Sequence, residues 1–122
     1  MLRKKVLVVD DDEDLRDSIA TLLRRQGYDV EVARDGREAL DLVAVGLPGA
    51  ILLDMRMPVM NGWEFARIFR QRYDHLTPII VLTAASDVRA RAVEVGAEDW
   101  LGKPFELSEL YQTVDRNIVR CR

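Results

Sequence analysis

The stretch Val6-Leu7-Val8-Val9 runs directly into Asp10, Asp11, Asp12, Glu13 and Asp14, so four apolar residues end on five acids. Two like charges about 4 Å apart repel by roughly 4 kcal/mol at an effective dielectric near 20. A fold bears that repulsion by leaving the carboxylates in water or by setting them around a cation. Three later residues share the same kind of position. Asp54 closes the apolar run "AILLD", Thr83 closes "IIVLT", and Lys103 follows the short run "DWL". Each has an ordinary explanation taken alone: an Asp after a strand caps a helix, as Asp12 is placed to do, a Thr is a good strand former, and a Lys before Pro is surface. Their common position after strands is what suggests a site.

The elements that must position these residues are legible as periodicity. Val6–Val9 is strand-like, and Leu15, Ile19, Leu22 and Leu23 stripe a helix that Gly27 ends. "YDVEVA" alternates as a half-exposed edge strand with Val30 and Val32 on one face, and Asp35-Gly36 reads as a turn. Ala39, Leu40 and Val43 stripe a second helix; "GAILLD" is a third strand; Asn61-Gly62 opens a helix carrying Phe65, Ile68 and Phe69. Pro78 opens "IIVLT", Val88, Ala92 and Val95 stripe a shorter helix stopped by Gly96, and "DWL" is a fifth strand. Leu107, Leu110, Tyr111, Val114 and Ile118 stripe a last helix. Repeated strand–helix alternation predicts an α/β fold, a parallel sheet with helices on both faces. Ligands of such sheets bind beyond the carboxyl ends of the strands, the edge to which Asp10, Asp11, Asp54, Thr83 and Lys103 are delivered.

The donor types narrow the chemistry. Hard oxygen ligands, few in number and leaving room for water, suit Mg²⁺. One cysteine (Cys121) and one histidine (His75, in the polar run "YDHLT") leave no zinc set. Walker and G-x-G-x-x-G patterns are absent, as is a Ser–His–acid or Cys–His nucleophile arrangement. The remaining parts, a carboxylate cluster with a cation, a hydroxyl and an ammonium, are those needed to place a phosphoryl group on a carboxylate. A formal charge of −3, with 18 basic against 21 acidic residues, gives no reason to expect direct nucleic-acid binding. The run Arg3-Lys4-Lys5 reads as a solvated lead-in to the first strand. No secretory signal or membrane-spanning run is visible, and the lone cysteine suits a reducing compartment, so a cytoplasmic protein with no membrane association is expected.

The motifs "VLVVDDDE", "ILLDMRMPVMNG", "IIVLTAAS" and "VGAEDWLGKPFELSEL" make the chain resemble a receiver domain of the two-component response regulators, chemotaxis-regulator-like, from Lys5 to about Val119. The resemblance implies a single (βα)5 doubly wound sheet in the flavodoxin-like strand order 2-1-3-4-5. The sequence ends with its fifth helix, so one receiver domain over 1–122 with no output domain is expected; the alternative is a segment cut from a longer regulator or hybrid kinase. By the same likeness, Asp54 is the phosphoacceptor attacking the phosphohistidine of a sensor histidine kinase. Asp11 is the direct carboxylate ligand of Mg²⁺, Asp10 holds the ion's waters, and the backbone carbonyl of Arg56 completes the protein ligands. Lys103 pairs with a phosphoryl oxygen, the Thr83 hydroxyl moves toward the phosphate, the Ala84 N–H donates to it, and Lys103-Pro104 is a cis peptide. Output is expected as protein contact through the fourth helix, fifth strand and fifth helix, or as relay to a histidine phosphotransfer protein. No enzymatic turnover is expected apart from self-phosphorylation and slow loss of the phosphoryl group.

Three departures from the family pattern stand out. Trp100 replaces the usual Tyr or Phe that swings inward when Thr83 moves, and a half-buried structural role is the other reading of that residue. The segment from Thr83 to Gly96 is about two residues short, which shortens the fourth helix. Arg56 and Ala85 flank the path of a hydrolytic water, leaving the phosphoryl lifetime open. Two other functions compete: a receiver-like interaction module that takes no phosphate, and a phosphatase with an aspartyl nucleophile. The second would carry an acid two residues after Asp54, where Arg56 stands.

Overall fold

The computed structural model describes residues 4–119; Arg3 of the basic run and Cys121 lie outside the described residues. Five strands alternate with five helices: β1 (Lys5–Val9), α1 (Glu13–Arg25), β2 (Asp29–Ala33), α2 (Gly36–Val45), β3 (Ala50–Asp54), α3 (Gly62–Tyr73), β4 (Ile79–Ala84), α4 (Val88–Val95), β5 (Asp99–Lys103) and α5 (Leu107–Asn117). The strands form one parallel sheet in the order β2-β1-β3-β4-β5. This is the doubly wound α/β arrangement expected.

Strand alternation sorts the apolar residues into two layers. Leu7, Val9, Ile51, Leu53, Ile79 and Val81 face α2, α3 and α4, meeting Ala39, Leu40, Val43, Phe65, Phe69 and Ala92. Val6, Val8, Leu52, Ile80 and Leu82 face α1 and α5, meeting Ile19, Leu23, Leu110, Val114 and Ile118. The central strands are buried on both sides, which is why they read as unbroken apolar runs. Phe65 and Phe69 are wholly buried and stack at 5.7 Å between ring centroids, and burying each contributes about 1.5–3 kcal/mol.

Helix starts follow their capping residues. Asp12 accepts from the Leu15 N–H, and Asn61 from the Glu64 N–H. Asp35, read from sequence as a turn residue, is the N-cap of α2 and accepts from Glu38 N–H at 2.9 Å. Leu107 is exposed rather than part of the buried stripe, because it opens α5 before the first full turn reaches the sheet. Lys103 lies on β5 itself, so the fifth strand is longer than "DWL" suggests. The eight-residue α4 has no side-chain cap hydrogen bond at its N-terminus. Among the described residues no helix is long and apolar enough to cross a membrane.

Candidate functional site

Strand register builds the site. Val9 pairs with Leu53, and Asp54 with Leu82, so Asp10 and Asp54 emerge side by side at the carboxyl edge and Thr83 one step beyond. Thr83 pairs with Gly102 and Ala84 with Lys103. Carboxylate oxygens of Asp10, Asp11 and Asp54 lie within 4.8 Å of one another. Asp10 and Asp54 are buried while Asp11 is exposed, so the cluster opens to solvent on one side.

The Asp10 side-chain oxygens and main-chain groups are all engaged, its N–H donating to the Ala33 carbonyl at 3.0 Å. Its Oδ1 accepts from the Asp12 N–H at 2.9 Å, its Oδ2 from Lys103 Nζ at 3.0 Å, and its carbonyl from an Arg16 guanidinium N–H at 3.2 Å. Lys103 Nζ also stands 3.7 Å from Asp54 Oδ1, so one ammonium reaches back from β5 across the sheet to two carboxylates. That does not balance the charge. Burial pushes the Asp54 carboxyl up to about 7; Asp10 and, less strongly, Asp11 push the same way, while Lys103 and the Met55 N–H pull it down. The acids gathered here repel one another more than the single lysine compensates.

Close backbone approach fixes the floor of the site. A Cβ on Gly62 would sit 2.7 Å from the Asp54 carbonyl oxygen and 2.7 Å from Met55 Cα, so only glycine lets α3 begin directly against β3. The Gly62 N–H donates to the Met55 carbonyl at 2.9 Å. On the other flank, a Cβ on Gly102 would meet Ala85 Cα at 2.7 Å, and the Ala85 N–H donates to the Lys103 carbonyl at 3.0 Å. The Lys103-Pro104 peptide is cis.

The structure thus brings together Asp10, Asp11, Asp54 and Lys103, with Thr83 and Ala84 on the adjoining strand end. Two of the expected residues keep their side chains outside that cluster. The Arg56 guanidinium rests over the Trp63 ring, 5.8 Å from its centroid. Trp100, 40% exposed on the sheet edge, borders a groove shared with Val88, Gly102, Thr113 and Arg116. Sequence reasoning missed Arg16 and Gly62. Arg16 lies one turn past the Asp12 cap, a spacing that aims its side chain back at the β1–α1 loop; nothing in the residue type at Gly62 announces its contact. His75, expected as a solvated loop residue, is on the surface but pairs its Nδ1 with Glu98 Oε2 at 2.8 Å.

The donor set fits a hard divalent cation: oxygens on one open-sided cluster, without thiolate or imidazole. Comparison with known proteins bears on that fit. A sequence profile of the response regulator receiver domain matches residues 6–115. Response regulator MprA of Mycolicibacterium vanbaalenii is 49% identical over 108 residues, covering 87% of this chain and 46% of that protein. The MprA of Mycobacterium avium is 47% identical, covering 87% and 47%. The chain therefore spans about half the length of the curated relatives it matches. Chemotaxis response regulator CheY4 of Vibrio cholerae superposes with a TM-score of 0.86 at 38% identity, over 95% of this chain and 99% of that one. The receiver domain of Francisella response regulator 1452 gives 0.84 at 34% identity, over 93% and 95%.

Proposed function

Because the chain belongs to the response regulator receiver domains of two-component systems, we propose that it is a phosphoacceptor switch with Asp54 as the residue modified. The observation that carries this reading is the cluster of Asp10, Asp11 and Asp54 with Lys103 in contact with two of the three carboxylates. In the transfer, an Asp54 carboxylate oxygen forms the new O–P bond as the N–P bond of a kinase phosphohistidine breaks and the imidazole leaves with the electron pair. Mg²⁺, when bound, neutralises charge developing on the phosphoryl oxygens. Asp11, Asp54 and the Arg56 carbonyl would hold it, with Asp10 acting on its waters.

The remaining roles belong to the chain's own groups. Lys103 follows the incoming phosphoryl, donating to an oxygen while still tethered to Asp10. Thr83 and the Ala84 N–H supply two further donors from the end of β4. Phosphorylation adds a group of charge about −1.5 to −2, and the equilibrium shifts only as far as that group favours one conformation over the other. The surface of α4, β5 and α5, with Trp100 on its edge, is the face that would present the change to a downstream protein. The phosphodonor is a sensor histidine kinase or a histidine phosphotransfer protein, met in the cytoplasm. The chain is a switch and not a turnover enzyme.

Incubation with acetyl phosphate and Mg²⁺, followed by intact-mass measurement, tests the assignment. A phosphate-sized gain in the wild type, absent from Asp54→Asn and from samples with chelator, is the expected result. A gain that persists in Asp54→Asn refutes Asp54 as acceptor.

A further inference from the structure

Arg56 follows Asp54 by two residues, and its guanidinium has no carboxylate partner among the described residues; it lies over the Trp63 indole, 5.8 Å from the ring centroid. The same ring carries a second guanidinium, that of Arg91 on α4, at 5.9 Å. Glu94, also on α4, joins both. It accepts from the Trp63 Nε1–H at 3.1 Å and pairs with Arg91 Nε at 2.6 Å. One indole on the first turn of α3 is therefore shared between a cation of the Asp54 loop and an ion pair of α4. The two cations repel, and only Arg91 has its charge matched, by Glu94. Arg56 is the one poised to leave.

We infer that Trp63 is a positioning residue that parks Arg56, and that phosphorylation draws Arg56 off the indole and so changes how Trp63 holds Arg91 and Glu94 on α4. This rests on Asp54 being the phosphoacceptor. The physical ground is a competition for one cation. A surface guanidinium on an aromatic face is weakly held, whereas a charge-assisted, bidentate contact with a phosphoryl group is stronger and geometrically matched to Arg. Loss of Arg56 leaves Arg91 and Glu94 as the charged partners of the ring among the described residues, relieving the repulsion across it. The helix that feels the change is the short α4, whose N-terminus lacks a side-chain cap. The route runs through α3, separate from the Thr83 end of β4, and gives α4 a second input from the same chemical event.

The test uses the whole chain, Mg²⁺ and beryllofluoride as the phosphoryl mimic, followed by nitrogen–proton correlation spectra. In the wild type the Ala84 amide, the Arg56 Nε–H and the Arg91 and Glu94 amides are expected to shift. In Trp63→Leu the Ala84 shift persists and the Arg91 and Glu94 shifts are lost, while Trp63→Phe, which keeps an aromatic face, retains them in reduced form. Equal Arg91 and Glu94 shifts in Trp63→Leu and wild type would overturn the inference. So would an Arg56 Nε–H that stays still in wild type while Ala84 moves. An Ala84 amide that never moves in the wild type sinks the phosphoacceptor reading itself.

Discussion

Asp54 is held in a place where its charged form is disfavoured, and that has a measurable cost. Its folded pKa of about 7 lies above the ordinary value of 3.8. Between those values the folded state keeps a proton that the unfolded state has lost, so stability falls as pH rises through the window and the full penalty is present above pH 7. Asparagine has no charge to bury. In magnesium-free buffer at pH 8, Asp54→Asn should therefore be more stable than wild type, by on the order of 2 kcal/mol. The difference should shrink as pH falls through the window and vanish toward pH 3 and below, where the unfolded wild type is protonated as well. Thermal melts across that range check it; a wild type more stable than the variant at pH 8 would mean that Lys103 already compensates the cluster.

At the scale of elements, the site depends on where helices begin. The Asn61 cap and Gly62 let α3 start against the backbone of Asp54 and Met55, with rigid main chain rather than a yielding side chain on the other side of the contact. Gly62→Ala places a methyl group into that contact and should cost about 1–3 kcal/mol through overpacking. Because the strain falls on the acceptor's own peptide, phosphate uptake should slow as well. A urea midpoint and an uptake rate both equal to wild type would show that α3 can slide away without consequence. The start of α4 is different in kind: it has neither a side-chain cap nor an acid in its first turn, which makes it the helix least tied down locally and suits an element that changes between states.

Over the whole molecule, the end of the sheet opposite the acidic cluster is fastened by a second charged group. Glu98 accepts from the Ile79 N–H at 2.8 Å, from Arg70 at 2.6 Å and from His75 at 2.8 Å, joining α3, β4 and the turn before β5. Burial pushes its carboxyl up, but the three donors outweigh it and hold the group below its usual range. A lowered carboxylate contributes stability above its ordinary pKa and loses it as pH falls. Glu98→Gln should thus destabilise at pH 7 by about 1–3 kcal/mol, with the gap narrowing as pH falls below the ordinary carboxylate value; a gap that does not narrow in acid would assign the loss to packing. The sheet and helices were readable from sequence because strands such as β1 and β4 are buried on both faces and carry unbroken apolar runs. The cluster was readable because strand ends converge at one edge. What could not be read depends on tertiary approach: Arg16 reaching the Asp10 carbonyl, Gly62 lying under Asp54, and Arg56 turned onto Trp63 instead of toward the carboxylates. Asp35 caps α2 where its sequence suggests a turn, because Asp-Gly suits both.

The central claim is that burial, reinforced by repulsion from Asp10 and Asp11, keeps the Asp54 acceptor partly protonated until a divalent cation offsets both. The titration of the Asp54 side-chain carboxyl carbon, followed by NMR with and without Mg²⁺, measures this directly. A midpoint near 7 without the ion, moved well down into the ordinary carboxylate range by saturating Mg²⁺, is the predicted result. A midpoint that Mg²⁺ leaves in place would contradict the account.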